Sequence, residues 1–358
     1  MAKKMLVINA GSSSVKWAVF ADQKKVHDGE IELGTGKVMT DGIVVRQKIK
    51  NHKNAGNYLK RVAKESNVSK VCHRMVHGGV KPCVLSEAKI KEISKCVSIV
   101  PLHLPINLQY VREFKGLKQY AVFDSYHFRS LDKNEKIIPI PKIIIPKNVR
   151  KQVLEVQGFH GIAHYDATNG EKGNVISFHL GSGCSVAATK DGKGIGCSLH
   201  QSALDGVVMR TRSGHIDPGL VLYLCEAHGV KKVSQILNHQ SGLASFVPGG
   251  DMRDILKQKR EDVVDYFSYS VAKQAASLLP LLGDVDTLVF TGGIGENAGK
   301  IRSGVCKWLS FLGCVIDEKK NMKNEAIISA KNSKIKIKVK RIDEESAMVR
   351  ILKREKIL

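Results

Sequence analysis

Nowhere does the sequence read Gly-x-x-x-x-Gly-Lys-Ser/Thr, so a P-loop is excluded as the means of holding a nucleotide. No apolar run approaches the roughly 20 residues a membrane-spanning helix needs, so no membrane partner is expected. The Met-Ala-Lys-Lys start leads straight into a strand bearing Asn9, which speaks against a signal peptide and for a cytoplasmic protein. The eight cysteines, Cys72, Cys83, Cys96, Cys184, Cys197, Cys225, Cys306 and Cys314, form no Cys-x-x-Cys pair, which favours reduced thiols over disulfides or a zinc site. Aromatic residues make up only 6% of the chain, and 34 acidic residues face 57 basic ones, for a net charge of +23. Such a surplus would suit nucleic acid. The lysines, however, are spread along the chain rather than gathered in a tail, so a nucleic-acid partner is disfavoured. Lys334 to Lys340 shows the reason: its lysines alternate with apolar residues at period two, as on a half-buried strand whose lysines face solvent and guard a sheet edge.

What is present begins with Met5-Leu-Val-Ile-Asn9-Ala-Gly11-Ser12-Ser13-Ser14-Val15-Lys16. An apolar strand, a Gly/Ser turn and a second strand to Phe20 make a hairpin. The tip's N–H groups and hydroxyls can close on a phosphate chain, with Lys16 adding a point charge. The pattern returns at Val175 to Asp191, where Gly181 to Ser185 and Val186 match Gly11 to Ser14 and Val15 with one extra residue in the turn. Two such hairpins, one per half, are the plan of the actin, Hsp70 and sugar kinase superfamily. The predicted fold is therefore α/β, a duplicated ribonuclease H-like (actin-like ATPase) fold of two domains with an interdomain cleft. At 358 residues the chain has room for both.

The expected domains are 1–150 and 151–340, with a C-terminal helix at about 341–358 packing back on the first. Residues 135–150 form a Pro/Ile/Lys connection, and the second half starts near Val153. Helical spacing begins at Asn57, and strands are expected at Val68 to Gly79 and Gln119 to Asp124. Pro218 opens a helix. Asp286 to Asn297 reads as strand, Gly-rich loop and helix start, a loop that can admit a nucleotide. Asp343-Glu344-Glu345 caps the final helix. His160 and His164 have the i, i+4 spacing of zinc ligands, but the intervening residues lack a Glu and no third ligand is evident.

The ordered motifs resemble the acetate kinase family. They run from Asn9-Ala-Gly11-Ser-Ser-Ser14 through His73-Arg74-Met-Val76-His77-Gly-Gly79, Pro101-Leu-His103-Leu-Pro105, Phe123-Asp124 and Gly158-Phe159-His160-Gly161. They continue with His179-Leu-Gly181, Thr211-Arg212-Ser-Gly214, Phe290 to Asn297 and Asp343 to Glu345. The resemblance implies phosphoryl transfer from ATP to acetate or another short carboxylate, giving ADP and acetyl phosphate, with Mg²⁺ (or Mn²⁺) and in a homodimer. It implies that Arg74 and Arg212 meet across the cleft, where planar guanidinium forks offset like-charge repulsion. Arg74 would hold the carboxylate and phosphoryl oxygens, Arg212 the transferring group, and His160 would donate to an equatorial oxygen. Asp124 would be a catalytic carboxylate. Asn9, Ser12, Ser14 and Lys16, with His179, Gly181, Ser182 and Gly183, would line the phosphates. Asp251, Met252, Arg253, Gly292, Gly293, Gly295, Glu296 and Asn297 would surround adenosine. Asn9 and Glu344 would serve the metal, and Val76, Leu102, Phe159 and Ala203 would surround the acetate methyl.

The sequence departs from the family pattern at Ser182 (usually Asn), Arg210 (Gly), His215 (Asp), Met252 (Phe), Leu104 (Asn) and Ala203 (Pro). Propionate or butyrate kinase of the same family is the near alternative, and a basic nucleic-acid-binding protein on a degraded kinase fold the distant one.

Overall fold

The structure, a computed structural model, describes residues 3–147 and 155–358. The expected 150/151 boundary and the start near Val153 lie outside the described residues. The chain forms two compact units, one of residues 3–129, 139–147 and Asp343–Leu358, the other of Ser130–Ile138 and Glu155–Ile342.

The first unit is built on a mixed sheet of β1 (Lys4–Ala10), β2 (Ser14–Ala21), β3 (Lys24–Glu32), β4 (Lys37–Thr40), β5 (Ile43–Arg46), β6 (Val68–Met75), β7 (Cys83–Val84) and β8 (Lys118–Phe123). Among the described residues its order is β5-β4-β3-β2-β1-β6-β8-β7. The meander β1 to β5 is antiparallel, whereas β6 lies parallel to β1 and β8 parallel to β6. β1 is central and buried from Met5 onward, which is why its sequence is almost continuously apolar. Helix His52–Glu65 lays Ala55, Leu59 and Val62 on the core of Leu6, Ile8, Val15 and Trp17. It begins five residues before the spacing signal, because Asn51 caps it by accepting from the Asn54 N–H.

The second unit repeats the plan. Its strands are β9 (Asn174–Leu180), β10 (Cys184–Lys190), β11 (Lys193–Cys197), β12 (Thr287–Thr291) and β13 (Lys336–Val339), in the order β11-β10-β9-β12-β13. Setting β3-β2-β1-β6-β8 beside β11-β10-β9-β12-β13 gives the same antiparallel trio followed by two parallel strands. This is the duplicated ribonuclease H-like arrangement. Ala10 pairs with Val15 across four residues, but Leu180 pairs with Cys184 across only three, so the second turn is one residue shorter rather than longer. Gly181 N–H donates to the Gly183 carbonyl at 3.0 Å and closes it.

β13 is an edge strand, as its period predicts, but Lys338 in it and Lys340 just after it are not left to solvent. Lys338 pairs with Glu171 at 2.7 Å, and Lys340 donates to the carbonyls of Asp166, Ala167 and Asn169. Lys340 thus serves the C-terminal carbonyls of helix Gly161–Thr168, a role a cation fills well.

Candidate functional site

In the first unit the register of β1, β6 and β8 assembles the charges. Ile8 faces His73 and Arg74 faces Val122, so Asn9, Arg74 and Asp124 arrive at neighbouring strand ends. Arg74 donates from Nε to Asp124 Oδ1 at 2.9 Å and from NH2 to Oδ2 at 2.7 Å, a two-pronged fork, and from NH1 to Asn9 Oδ1 at 3.1 Å. Its side chain keeps 16% exposure against 2% for Asp124, so of the pair the arginine is the less buried. Burial works against the charge on Arg74, but Asp124, with Glu344 and Glu345 behind it, overcomes burial and holds the group above its ordinary value. Burial likewise raises the Asp124 carboxyl, with Arg74 opposing it.

The Asn9 amide nitrogen donates to Glu344 Oε2 and to Glu345 Oε1, each at 2.9 Å. Asp343 caps the helix Glu344–Arg354 by accepting from the Ser346 N–H, and so sets both glutamates in its first turn. Burial, then repulsion from Glu344, raises the Glu345 carboxyl, and Lys16 on β2 partly relieves it. Glu345 was absent from the expected site; only its place in the acidic triplet could have signalled it. The Asn9 oxygen is turned to Arg74 and not to the glutamates, which does not suit an oxygen ligand to a metal beside Glu344. Ser12 is exposed at the hairpin tip and Ser14 half-buried. Val76 is buried, its N–H bonded to Asn107 Oδ1, whereas Leu102 is 40% exposed.

In the second unit His160 stands before helix Gly161–Thr168 with φ 56°, left-handed backbone that a side chain adopts at a cost. Its Nδ1 lies 2.9 Å from Ser185 Oγ. The same hydroxyl lies 2.8 Å from His164 Nε2, and His164 Nδ1 lies 2.7 Å from Ser177 Oγ. Both nitrogens of His164 thus face serines, which disposes of the zinc spacing. The His179 ring centre is 4.9 Å from that of His160. A Cβ on Gly183 would come within 3.2 Å of His160 Cε1, so this glycine lets the hairpin tip and the imidazole close up, and Arg212 NH1 lies 3.9 Å from the same point. Arg212 NH1 donates to the Ala203 carbonyl at 2.9 Å. Phe159 is buried, and Ala203 half-buried.

A cavity of about 350 Å³ opens in the same unit, bounded by the hairpin tip at Gly181 and Ser182, by Asp251 to Arg253, and by Gly293 and Asn297. Arg210, Gly250, Leu256, Ile294 and Ala298 also line it and were not anticipated, except that Arg210 stood out as a departure. Arg253 holds the Asp251 carboxylate down at about 2 through bonds of 3.0 and 2.7 Å. Gly183, His179, Gly292, Gly295 and Glu296 do not line this cavity. Gly292 has φ +78°, and a Cβ there would lie 2.6 Å from the Leu180 carbonyl oxygen. Glu296 turns back to accept from the Gly292 N–H at 3.1 Å, tying the loop rather than facing the cavity. Behind it the buried Arg302 donates to the Gly295 carbonyl at 2.8 Å. Among the described residues no group of three or more His, Cys, Asp and Glu could hold a metal ion unaided, and no helix is long and apolar enough to cross a membrane.

The model of the Acetokinase family matches residues 4–350. The chain is 34% identical to the acetate kinase of Carboxydothermus hydrogenoformans over 96% of each chain. It is 33% identical to that of Sulfurovum sp. over 97% of each. Among solved structures it resembles a propionate kinase from Francisella tularensis (33% identity, TM-score 0.87, 98% of each chain). It also resembles the acetate kinase of Entamoeba histolytica (28%, TM-score 0.83, 99% of each).

Proposed function

The chain belongs to the acetokinase family, and on that premise we propose that it is an acetate kinase, an ATP-dependent phosphotransferase with a carboxyl group as acceptor. A carboxylate oxygen of acetate attacks the γ-phosphorus, the new O–P bond forms, and the bond to the leaving oxygen of ADP breaks. The nucleophile is already ionised, so no general base is needed, and catalysis is positioning and charge neutralisation. The observation that carries the reading is Arg74, a guanidinium locked by two bonds to a buried carboxylate at a strand end, its side chain not fully buried. In this reading Arg74 takes the carboxylate and Arg212 the transferring phosphoryl group. His160 donates to an equatorial oxygen, and the Gly181 to Asn297 cavity takes adenosine. The test is ADP release from ATP–Mg²⁺ in the presence of formate, acetate, propionate or butyrate; release that no carboxylate stimulates overturns the reading.

Mg²⁺ fits the first unit. Glu344 and Glu345 crowd two hard oxygen donors onto one amide, and a divalent cation would relieve the repulsion between them. Those two would hold it, with Asn9 orienting them, and the ion would supply neutralisation of phosphate charge. Glu344→Ala should raise the Mg²⁺ concentration needed for half-maximal rate more than it raises the acetate KM. The reverse pattern would leave Glu344 a helix-end charge.

Propionate stays the near alternative because position 203 offers only a methyl group. One more buried CH₂ is worth about 0.8 kcal/mol, and a pocket short of one methylene discriminates by roughly 10–200-fold. We expect propionate to be used within about tenfold of acetate in kcat/KM. Ala203→Pro should restore the acetate preference, since proline keeps the carbonyl that Arg212 uses. An acetate preference above about a hundredfold in the unaltered chain would show the space already filled.

A homodimer is also proposed. Helix Pro218–His228 reads Gly-Leu-Val-Leu-Tyr-Leu in its first two turns yet buries no residue, and Leu222 and Tyr223 are each 66% exposed. A second copy covering this helix accounts for its composition. Sedimentation at micromolar concentration should give twice the chain mass, and Tyr223→Lys should give one.

A further inference from the structure

Ser182 and Arg210, two of the departures from the family pattern, meet at one end of the nucleotide cavity, where the Arg210 N–H reaches the Ser182 carbonyl at 3.4 Å. The Arg210 side chain is held at one point, Nε donating to the Gly249 carbonyl at 2.8 Å. Among the described residues its two terminal nitrogens donate no hydrogen bond, and no carboxylate lies within ion-pair reach of them. The carboxylate beside it, Asp251, is already taken at both oxygens by Arg253. Asp251 is bonded to Arg253, and Arg210, near enough to help lower the Asp251 carboxyl but not bonded to it, adds a second fork of donors and a net positive charge to the lining. An exposed guanidinium held at Nε, bonded to no carboxylate and beside a Gly/Ser turn, suits a phosphate oxygen. Serine at 182 reaches less far than an amide would.

We propose that Arg210 contacts the phosphate chain of the bound nucleotide, in place of the longer side chain that Ser182 lacks, and so sets the affinity for ADP and ATP. This rests on the reading of the cavity as the nucleotide site. Arg210 is then a binding residue that separates phosphorylated nucleotide from nucleoside.

The experiment is calorimetric titration of the full chain with adenosine and with ADP at low salt. In Arg210→Gly the ADP Kd should rise about tenfold or more, the adenosine Kd should stay within about twofold, and the ADP difference should shrink as salt rises. Arg210→Gln, which keeps the stem without the charge, should behave alike and replaces the glycine variant if that fails to fold. Lys231→Ala, which removes an exposed charge elsewhere in the unit, should change neither constant. In steady state the ATP KM should rise with the acetate KM unchanged. Unchanged ADP affinity overturns the assignment, and so does a parallel loss for ADP and adenosine; both leave the nucleotide reading standing. An unaltered chain that binds neither ligand overturns that reading and the assignment with it.

Discussion

Arg212→Ala is expected to lower kcat by about 10³ to 10⁵, the range a guanidinium stabilising a phosphoryl transition state supplies. The fold should survive. Arg212 is partly buried, and its NH1 donates to the neutral Ala203 carbonyl and to the Met209 sulfur. Losing the bond to the Ala203 carbonyl costs about 1 kcal/mol. The melting temperature should move by a few degrees, and ADP should still bind to the cavity between Gly181 and Asn297, which Arg212 does not line. The contrast between lost turnover and kept ADP binding is what identifies a transition-state role. A variant with more than a tenth of the original kcat would show that the role lies elsewhere.

Much of the candidate site's local structure was legible because its residues sit at strand ends, where period and turn chemistry speak clearly. Met5 to Ala10 announces a central strand by its unbroken apolar run, and the Gly/Ser turns announce the two tips. The doubled strand order followed from finding that pattern twice. What was not legible depends on partners far apart in sequence. Ser177 and Ser185 look like ordinary strand serines until the fold sets them on the nitrogens of His160 and His164. Glu345 is one of two acids at a helix start until Asn9, 336 positions away, donates to it. Glu296 sits in a glycine-rich motif that suggests a ligand, yet its nearest bond is to its own loop. Lys336, Lys338 and Lys340 obey the alternation, but helix Gly161–Thr168 and the residues just after it supply Glu171 and three carbonyls that no local pattern encodes.

Arg74→Ala should lose turnover as fully as Arg212→Ala but should differ in stability. Its partner Asp124 is buried, and removing the guanidinium leaves that carboxylate without its fork. Breaking a buried pair from one side costs about 3–5 kcal/mol. Loss of activity in the alanine variant is therefore ambiguous by itself. Arg74→Lys resolves it: an ammonium keeps a charge beside Asp124 but cannot give two parallel bonds to one carboxylate and a third to Asn9. The lysine variant should melt closer to the unaltered chain, yet bind acetate more weakly and turn over slowly, because the fork is gone. The acetate KM is the discriminating quantity, since a group that holds the carboxylate before reaction must appear there as well as in kcat. A folded Arg74→Lys protein with an unchanged acetate KM and more than a tenth of the original kcat would remove Arg74 from the carboxylate site and leave it a partner for Asp124 alone.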